Sequence, residues 1–284
     1  MQKSSTAIMP SLDLPSHFRP RQCSAVWQAP LNDWRNRLHE AAERWTGNHA
    51  PAVFFRADDI GAGGRAFEAL CRLFRHHETP LAMAVVPAWI SQVRREQLFH
   101  SAPLEEPLWG WHQHGWRHVN WQRTGKKSEF GEQRPFEKQW RDIWQGRQKM
   151  EEIFLDRFIP VFTPPWNRLS PLTVKIVQQL NFRGISLAGP LPRGARQPSG
   201  LANLRVQIDL HTRKAREPEK DYLDLLDELT ALMGKKEPIG IMVHHHRMSL
   251  FAFDFLHELL TVLNHHSQVD LQGFRNFLEK KDAE

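Results

Sequence analysis

From residue 50 onward, short apolar runs alternate with segments of helical periodicity, and this alternation restricts the possible folds more than any other feature of the chain. The runs at 52–57, 81–86, 107–112, 158–162, 182–187, 204–210 and 239–243 have strand length and read as strands, most of them buried on both faces. Between them, 64–77, 136–156, 171–180, 219–233 and 251–264 carry helical stripes, such as Phe136, Trp140, Ile143, Trp144, Ile153 and Phe154. Strand and helix in alternation predict an α/β fold with a largely parallel sheet and helices outside it, open or closed into a barrel. Residues 188–203, rich in Pro and Gly, read as a long loop.

Ahead of this region, residues 1–30 are Pro-rich and aperiodic and read as an arm. Leu31, Trp34, Leu38, Ala41 and Trp45 then mark a helix over 31–45 that Asn32 or Asp33 would cap. The expected division is an arm and packing helix over 1–49, a main domain over 50–280 and a tail over 281–284. A chain of 284 residues can bury one large core or two modest ones. No stretch reaches the roughly 20 apolar residues of a membrane span, and Met1 to His17 lacks the apolar centre of a secretory signal. Cys23 and Cys71 imply no disulfide framework, so a reducing cytoplasm is the expected location. The formal charge of +6 is spread along the chain and reads as a solvated basic surface; no basic-aromatic nucleic-acid module is visible. Eleven Trp against one Tyr is unusual; most of these rings are expected in the core, and some as platforms for sugar rings.

Four chemically loaded patches each follow a predicted strand: Asp58-Asp59, the run Trp111 to His118, Thr163-Pro164-Pro165-Trp166-Asn167, and His244-His245-His246. Parallel strands end at one face, so all four converge on one mouth. Neighbouring carboxylates repel, and a shared cation or proton relieves them. A divalent ion accepts imidazole nitrogen and carboxylate oxygen, and a hydrolytic site leaves one position for water. His114 and His118, at i and i+4, could face one ion from a helical turn, with one Asp as third ligand and the other left as a general base. Singly, each patch has a plainer reading: Asp-Asp caps a helix, His-x-x-x-His arises by chance, three His lie on the surface, and Pro-Pro stops a strand. Their order and shared position after strands favour the joint reading.

These residues resemble the polysaccharide deacetylase (NodB-homology) family of carbohydrate esterases over roughly 50–280. The resemblance implies a distorted (β/α) barrel with about seven parallel strands. It implies Asp58 as catalytic base, and Asp59, His114 and His118 as ligands of a divalent ion, Zn2+ first, with Co2+, Mn2+ or Ni2+ as alternatives. Trp166, with Pro165 and Asn167 beside it, matches the motif that walls the substrate groove, and Trp116 flanks it. His244 matches the general acid and Asp209 the carboxylate that orients it. The implied activity is hydrolysis of the N-acetyl amide of a sugar or glycan precursor. The sequence departs from the pattern at three places. Arg56-Ala57 precede the Asp pair where the family has Thr-Phe, Gly115 stands where Ser or Thr is common, and Thr163 replaces the Arg that pairs with the base. Arg56 lies two residues before Asp58, on the same strand face, and is expected to supply the missing cation. The alternatives are a catalytically inactive carbohydrate-binding member of the fold and a metal-dependent amidohydrolase of a small non-sugar amide. His112-Gln113-His114 resembles the His-x-His of amidohydrolase barrels but lies mid-chain, after the Asp pair.

Overall fold

The computed structural model describes residues 8–45, 50–196 and 198–282. The extreme N-terminal part of the expected arm and the end of the expected tail lie outside them. In chain order the elements are α1 (Trp34–Glu43), β1 (Ala52–Ile60), α2 (Arg65–His76), β2 (Leu81–Val85), α3 (Gln92–Ser101), β3 (Trp109–His114), α4 (Phe136–Phe154) and β4 (Phe158–Thr163). There follow α5 (Pro171–Gln179), β5 (Gly184–Ile185), β6 (Ala202–Asn203), β7 (Ile208–Asp209), α6 (Pro218–Met233), β8 (Ile239–Val243), α7 (Leu250–His265), β9 (Asp270–Leu271) and α8 (Phe274–Asp282).

Every strand pairing is parallel, in the order β6-β5-β4-β3-β2-β1-β8-β7, with β9 also on β1. Eight strands on this path, rather than seven, curl into a distorted barrel. The two ends of the path belong to one segment. Leu204 and Val206 donate backbone N–H groups to Ile185 and Leu187 on one side, and Gln207 and Leu210 donate to Gly240 and Met242 on the other. Residues 202–210 therefore bridge the two edges, which leaves no long bare strand edge there. The predicted strands 182–187 and 204–210 shrink to two residues each because that bridging uses single, widely spaced bonds. The loop expected over 188–203 ends in β6.

Strand periodicity sorts the side chains. On β1, Val53, Phe55 and Ala57 face the outer core under the helices, while Phe54 joins an inner cluster with Ala82, Ile159, Val161, Leu204, Val206 and Met242. Phe274 and Leu278 of α8 complete this inner cluster, with the Phe274 ring edge-on to Phe54 at 5.2 Å. α8 thus floors the barrel at the end away from the mouth. Outside, α2 buries Phe67, Leu70, Cys71 and Phe74 and turns Glu68 and Arg72 outward as an i,i+4 pair. α7 is buried nearly all round, the mark of a helix covered on both sides. Its second cover is α1 and the arm: Trp27 packs on Phe251 and Phe255, and Glu258 of α7 meets His39 and Arg35 of α1. Asp33 does occupy the N-cap of α1, but its carboxylate accepts from the Asn36 side chain and makes no capping bond to the backbone. No helix of the described residues is long and apolar enough to cross a membrane.

Candidate active site

Asp58 and Asp59 belong to β1 itself rather than to the turn behind it. Ordinary pleating would send neighbouring side chains to opposite faces. Between Ala57 and Ile60, however, β1 slips register against β2, and Asp59 adopts φ +62°. This bulge keeps Asp58 pointing inward and re-aims Asp59 at the mouth. Asp tolerates the left-handed region better than most residues do.

Asp58 is buried and lies against Arg56, whose side chain is fully buried. Arg56 Nε donates to Asp58 Oδ1 at 2.7 Å and Nη2 to Oδ2 at 2.8 Å, a bidentate pair. Arg56 also donates to Ser186 Oγ and Asn167 Oδ1, both at 2.8 Å, and its Nη2 lies 3.0 Å from Met242 Sδ. Burial would raise the Asp58 carboxyl, but the Arg56 charge, helped by His114 and His244, holds it below its ordinary value. At the place of the family's Arg, Thr163 is buried and its hydroxyl bonds His112 Nε2 at 3.1 Å. His112 is driven down to about 3 by burial and by the charge of Arg56, so it stays neutral inside the barrel.

Asp59 gathers the imidazoles. Its Oδ1 lies 3.2 Å from His114 Nε2 and 3.1 Å from His118 Nε2. Burial opposes ionisation of Asp59, yet its bonds to His114 and His118 prevail and hold the carboxyl well below its ordinary range. Burial likewise favours neutral His114, and the bond to Asp59 overrides it and raises that ring. His114 Nδ1 lies 3.0 Å from the Thr163 carbonyl, which can only accept, so Nδ1 carries a proton and Nε2 is the atom turned to Asp59. One carboxylate oxygen and two imidazole nitrogens thus meet with ligand atoms within 4.8 Å of each other. This donor set fits a divalent ion, which would replace the protons now shared between Asp59 and the rings. The anchored Nδ1–H of His114 is the outer support that metal-bound histidines ordinarily have.

The expected helical turn from His114 to His118 does not form. His114 ends β3, Gly115 and His118 take φ +58° and +59°, and the loop folds back. Glu129 holds that loop, accepting from the backbone N–H groups of Trp116, Arg117 and His118 at 3.2, 2.7 and 3.1 Å. It is buried, and burial pushes its carboxyl up against the pull of those donors. A Cβ on Gly115 would stand 2.4 Å from Glu129 Oε2 and 2.6 Å from Pro165, which explains Gly where Ser or Thr was expected.

Trp166, half-buried at φ +56°, sets its ring 4.4 Å from the ring of His118. Pro165 is buried beneath it and Trp116 is half-buried against the core. Trp109 and Trp111 are core residues, Trp111 stacked on Phe154 at 4.7 Å. Asn167, expected to face substrate, accepts from Arg56 instead. His244 follows β8 at the mouth, buried, and its Nδ1 has no hydrogen-bond partner among the described residues. Asp209 does not reach it by a hydrogen bond among the described residues. Its Oδ1 accepts from the backbone N–H groups of His211 and Thr212 at 3.1 and 2.9 Å, and its Oδ2 from the Thr212 hydroxyl. His211 is the nearer partner: its Nδ1 accepts the His244 backbone N–H at 3.1 Å. His246 belongs to the expected patch but carries no expected role there. The short helical turn at 245–247 swings it back until Nε2 is 3.7 Å from Asp59 Oδ2. Asp59, Trp89, Arg94, His246 and the glycines of the loop after β1 line a cleft of about 510 Å³. A larger concavity, about 750 Å³, runs from Arg117 past Arg123, Arg134, Lys138 and Arg141, with Asp142 its one carboxylate.

No protein-family profile matches the sequence, and no curated protein does. Solved structures do. A Mycobacterium smegmatis protein assigned as a polysaccharide deacetylase aligns with a TM-score of 0.64 and 15% identity, over 84% of this chain and 92% of that one. A Pseudomonas aeruginosa PAO1 protein assigned likewise aligns at 0.55 and 13%, over 82% and 91%. The PuuE allantoinase aligns at 0.58 and 13%, over 94% and 98%. On these likenesses, the chain has the fold of the polysaccharide deacetylases.

Proposed function

We propose that this protein is a hydrolase that removes the acetyl group from the nitrogen of an N-acetylated sugar or glycan precursor. The observation that carries this reading is the division of labour between neighbouring carboxylates. Asp59 sits among imidazoles, and Asp58 sits apart, ionised against Arg56. A divalent ion held by Asp59, His114 and His118 would supply a Lewis acid for the acetyl carbonyl and lower the pKa of water. Asp58 takes the proton as water attacks. Arg56 fixes both Asp58 oxygens, so the base meets water in one orientation. His244, buried beside Asp58, gives a proton to the departing amine. Trp166 offers an apolar face beside His118 for a sugar ring.

The test is acetate release from N-acetylated sugars together with metal content. Asp58→Asn should keep the ion and lose about 10²–10⁴-fold in kcat. Asp59→Asn should lose the ion itself. Equal metal loss in both variants contradicts the roles. A small non-sugar amide, which the likeness to the allantoinase raises, is assayed alongside. Bound metal with turnover of neither substrate class supports a carbohydrate-binding protein that has lost catalysis.

A further inference from the structure

Away from the mouth, three further histidines meet. α2 starts behind β1 at the mouth and descends to His76, just before β2 begins at the floor end. His76 ends that helix, His77 caps it, and His257 projects from the buried face of α7. One ring nitrogen from each lies within 4.8 Å of the other two. His77 Nε2 is 2.9 Å from His257 Nδ1, and the ring centroids of His76 and His257 are 4.9 and 5.8 Å from that of His77 and of His76. Among the described residues Asp58 and Asp59 pair with Arg56, His114, His118 and His246, none of them in this cluster, and the deacetylase reading does not use it.

We propose that His76, His77 and His257 form a second metal site, for Zn2+ or a similar imidazole-seeking divalent ion, that ties the end of α2 to α7. Zinc–nitrogen bonds of about 2.0–2.1 Å in tetrahedral geometry set ligand nitrogens about 3.4 Å apart. The spacings here, from 2.9 Å to under 4.8 Å, bracket that value, so side-chain rotation alone can bring the nitrogens to an ion. His257 is buried and His77 half-buried, which limits their rotamers, while exposed His76 leaves a side open for entry and for a water as fourth ligand. The surroundings are built rather than incidental. The Thr79 hydroxyl donates to the His77 carbonyl at 3.1 Å, and Asn264 of α7 donates to that hydroxyl at 3.2 Å. The segment after α2 is therefore already fastened to the helix that carries His257. Carboxylates are scarce among the ligands, which favours zinc, cobalt or nickel over magnesium or calcium.

The test uses the full chain with the first centre disabled by Asp59→Ala and His114→Ala. Zn2+ and Co2+ are titrated into metal-free protein, bound ions are counted, and thermal unfolding is followed. One ion per chain, cobalt absorption typical of tetrahedral coordination, and a Tm that rises with Zn2+ are expected. Adding His76→Gln, at an exposed position that folding tolerates, should weaken zinc at least about 10-fold and cancel the Tm rise. In the otherwise native chain, His76→Gln should lower the count from two ions to one and leave turnover unchanged. No ion in the folded Asp59→Ala/His114→Ala chain, or an ion indifferent to His76→Gln, overturns the second site. Either result leaves the deacetylase reading standing, since that rests on separate residues.

Discussion

Removing Arg56 while keeping Asp58 is the sharpest perturbation available. Arg56→Met preserves bulk and apolar contact inside the barrel but deletes both bonds to Asp58 and those to Ser186 and Asn167. Both charges are essentially out of water, with side-chain exposures of 0% and 4%. Deleting one partner of such a pair leaves an uncompensated buried charge and costs about 3–5 kcal/mol, whereas replacing both is often neutral. Urea unfolding at pH 7 should therefore show Arg56→Met destabilised by about 3–5 kcal/mol and the Arg56→Met/Asp58→Asn double variant within about 1 kcal/mol of the parent. The pH dependence has a definite sign. In the parent the folded Asp58 pKa lies below its ordinary value. Its stabilising contribution is thus present above the ordinary pKa and lost as pH falls through the depressed one. Without Arg56, burial is opposed only by His114 and His244, and the folded pKa moves upward. The deficit of Arg56→Met should then shrink as pH falls, because the folded state takes up a proton, and the acid limb of the pH–rate profile should move upward. An unmoved acid limb, or a double variant as unstable as the single one, would refute the pairing argument.

Other consequences are simpler to check. Gly115→Ala meets both a left-handed φ and a Cβ clash with Glu129 and Pro165, so it should cost at least about 1–2 kcal/mol by thermal unfolding and loosen metal binding. His244→Gln should lower kcat about 10²–10⁴-fold by steady-state assay, while His246→Gln, at a half-exposed ring, should act mainly on KM. Reversing Arg123 and Arg141 to Glu should raise KM for a phosphate-bearing sugar and leave a neutral one unchanged, the difference fading in high salt.

How much of this was legible in the residues depended on whether a side chain's position follows from periodicity. The parity of Arg56 and Asp58 on one strand is fixed by a period of two, and the pair forms. The walls of the barrel follow from apolar runs for the same reason, whereas α8, which floors it, lies beyond the last predicted helix and was missed. α3 was missed because Gln92–Ser101 buries only Leu98 and Ser101 and carries little apolar pattern. Glu129 was missed because a lone carboxylate in an aperiodic loop gives no signal until the backbone donors of Trp116, Arg117 and His118 surround it. His246 entered the site, and Asp209 turned to the backbone of its own loop, through local turns. The helical turn expected between His114 and His118 failed at Gly115, where Glu129 and Pro165 leave no room for a Cβ.

The helix α8 seals the barrel from below, with Phe274 against both Phe54 and the ring of His112. That contact helps keep water from the interior in which Arg56 and Asp58 lie buried. A change in α8 that opened it would rehydrate both ions and weaken their hold on each other, so the character of the base depends on packing far from any atom that substrate would touch.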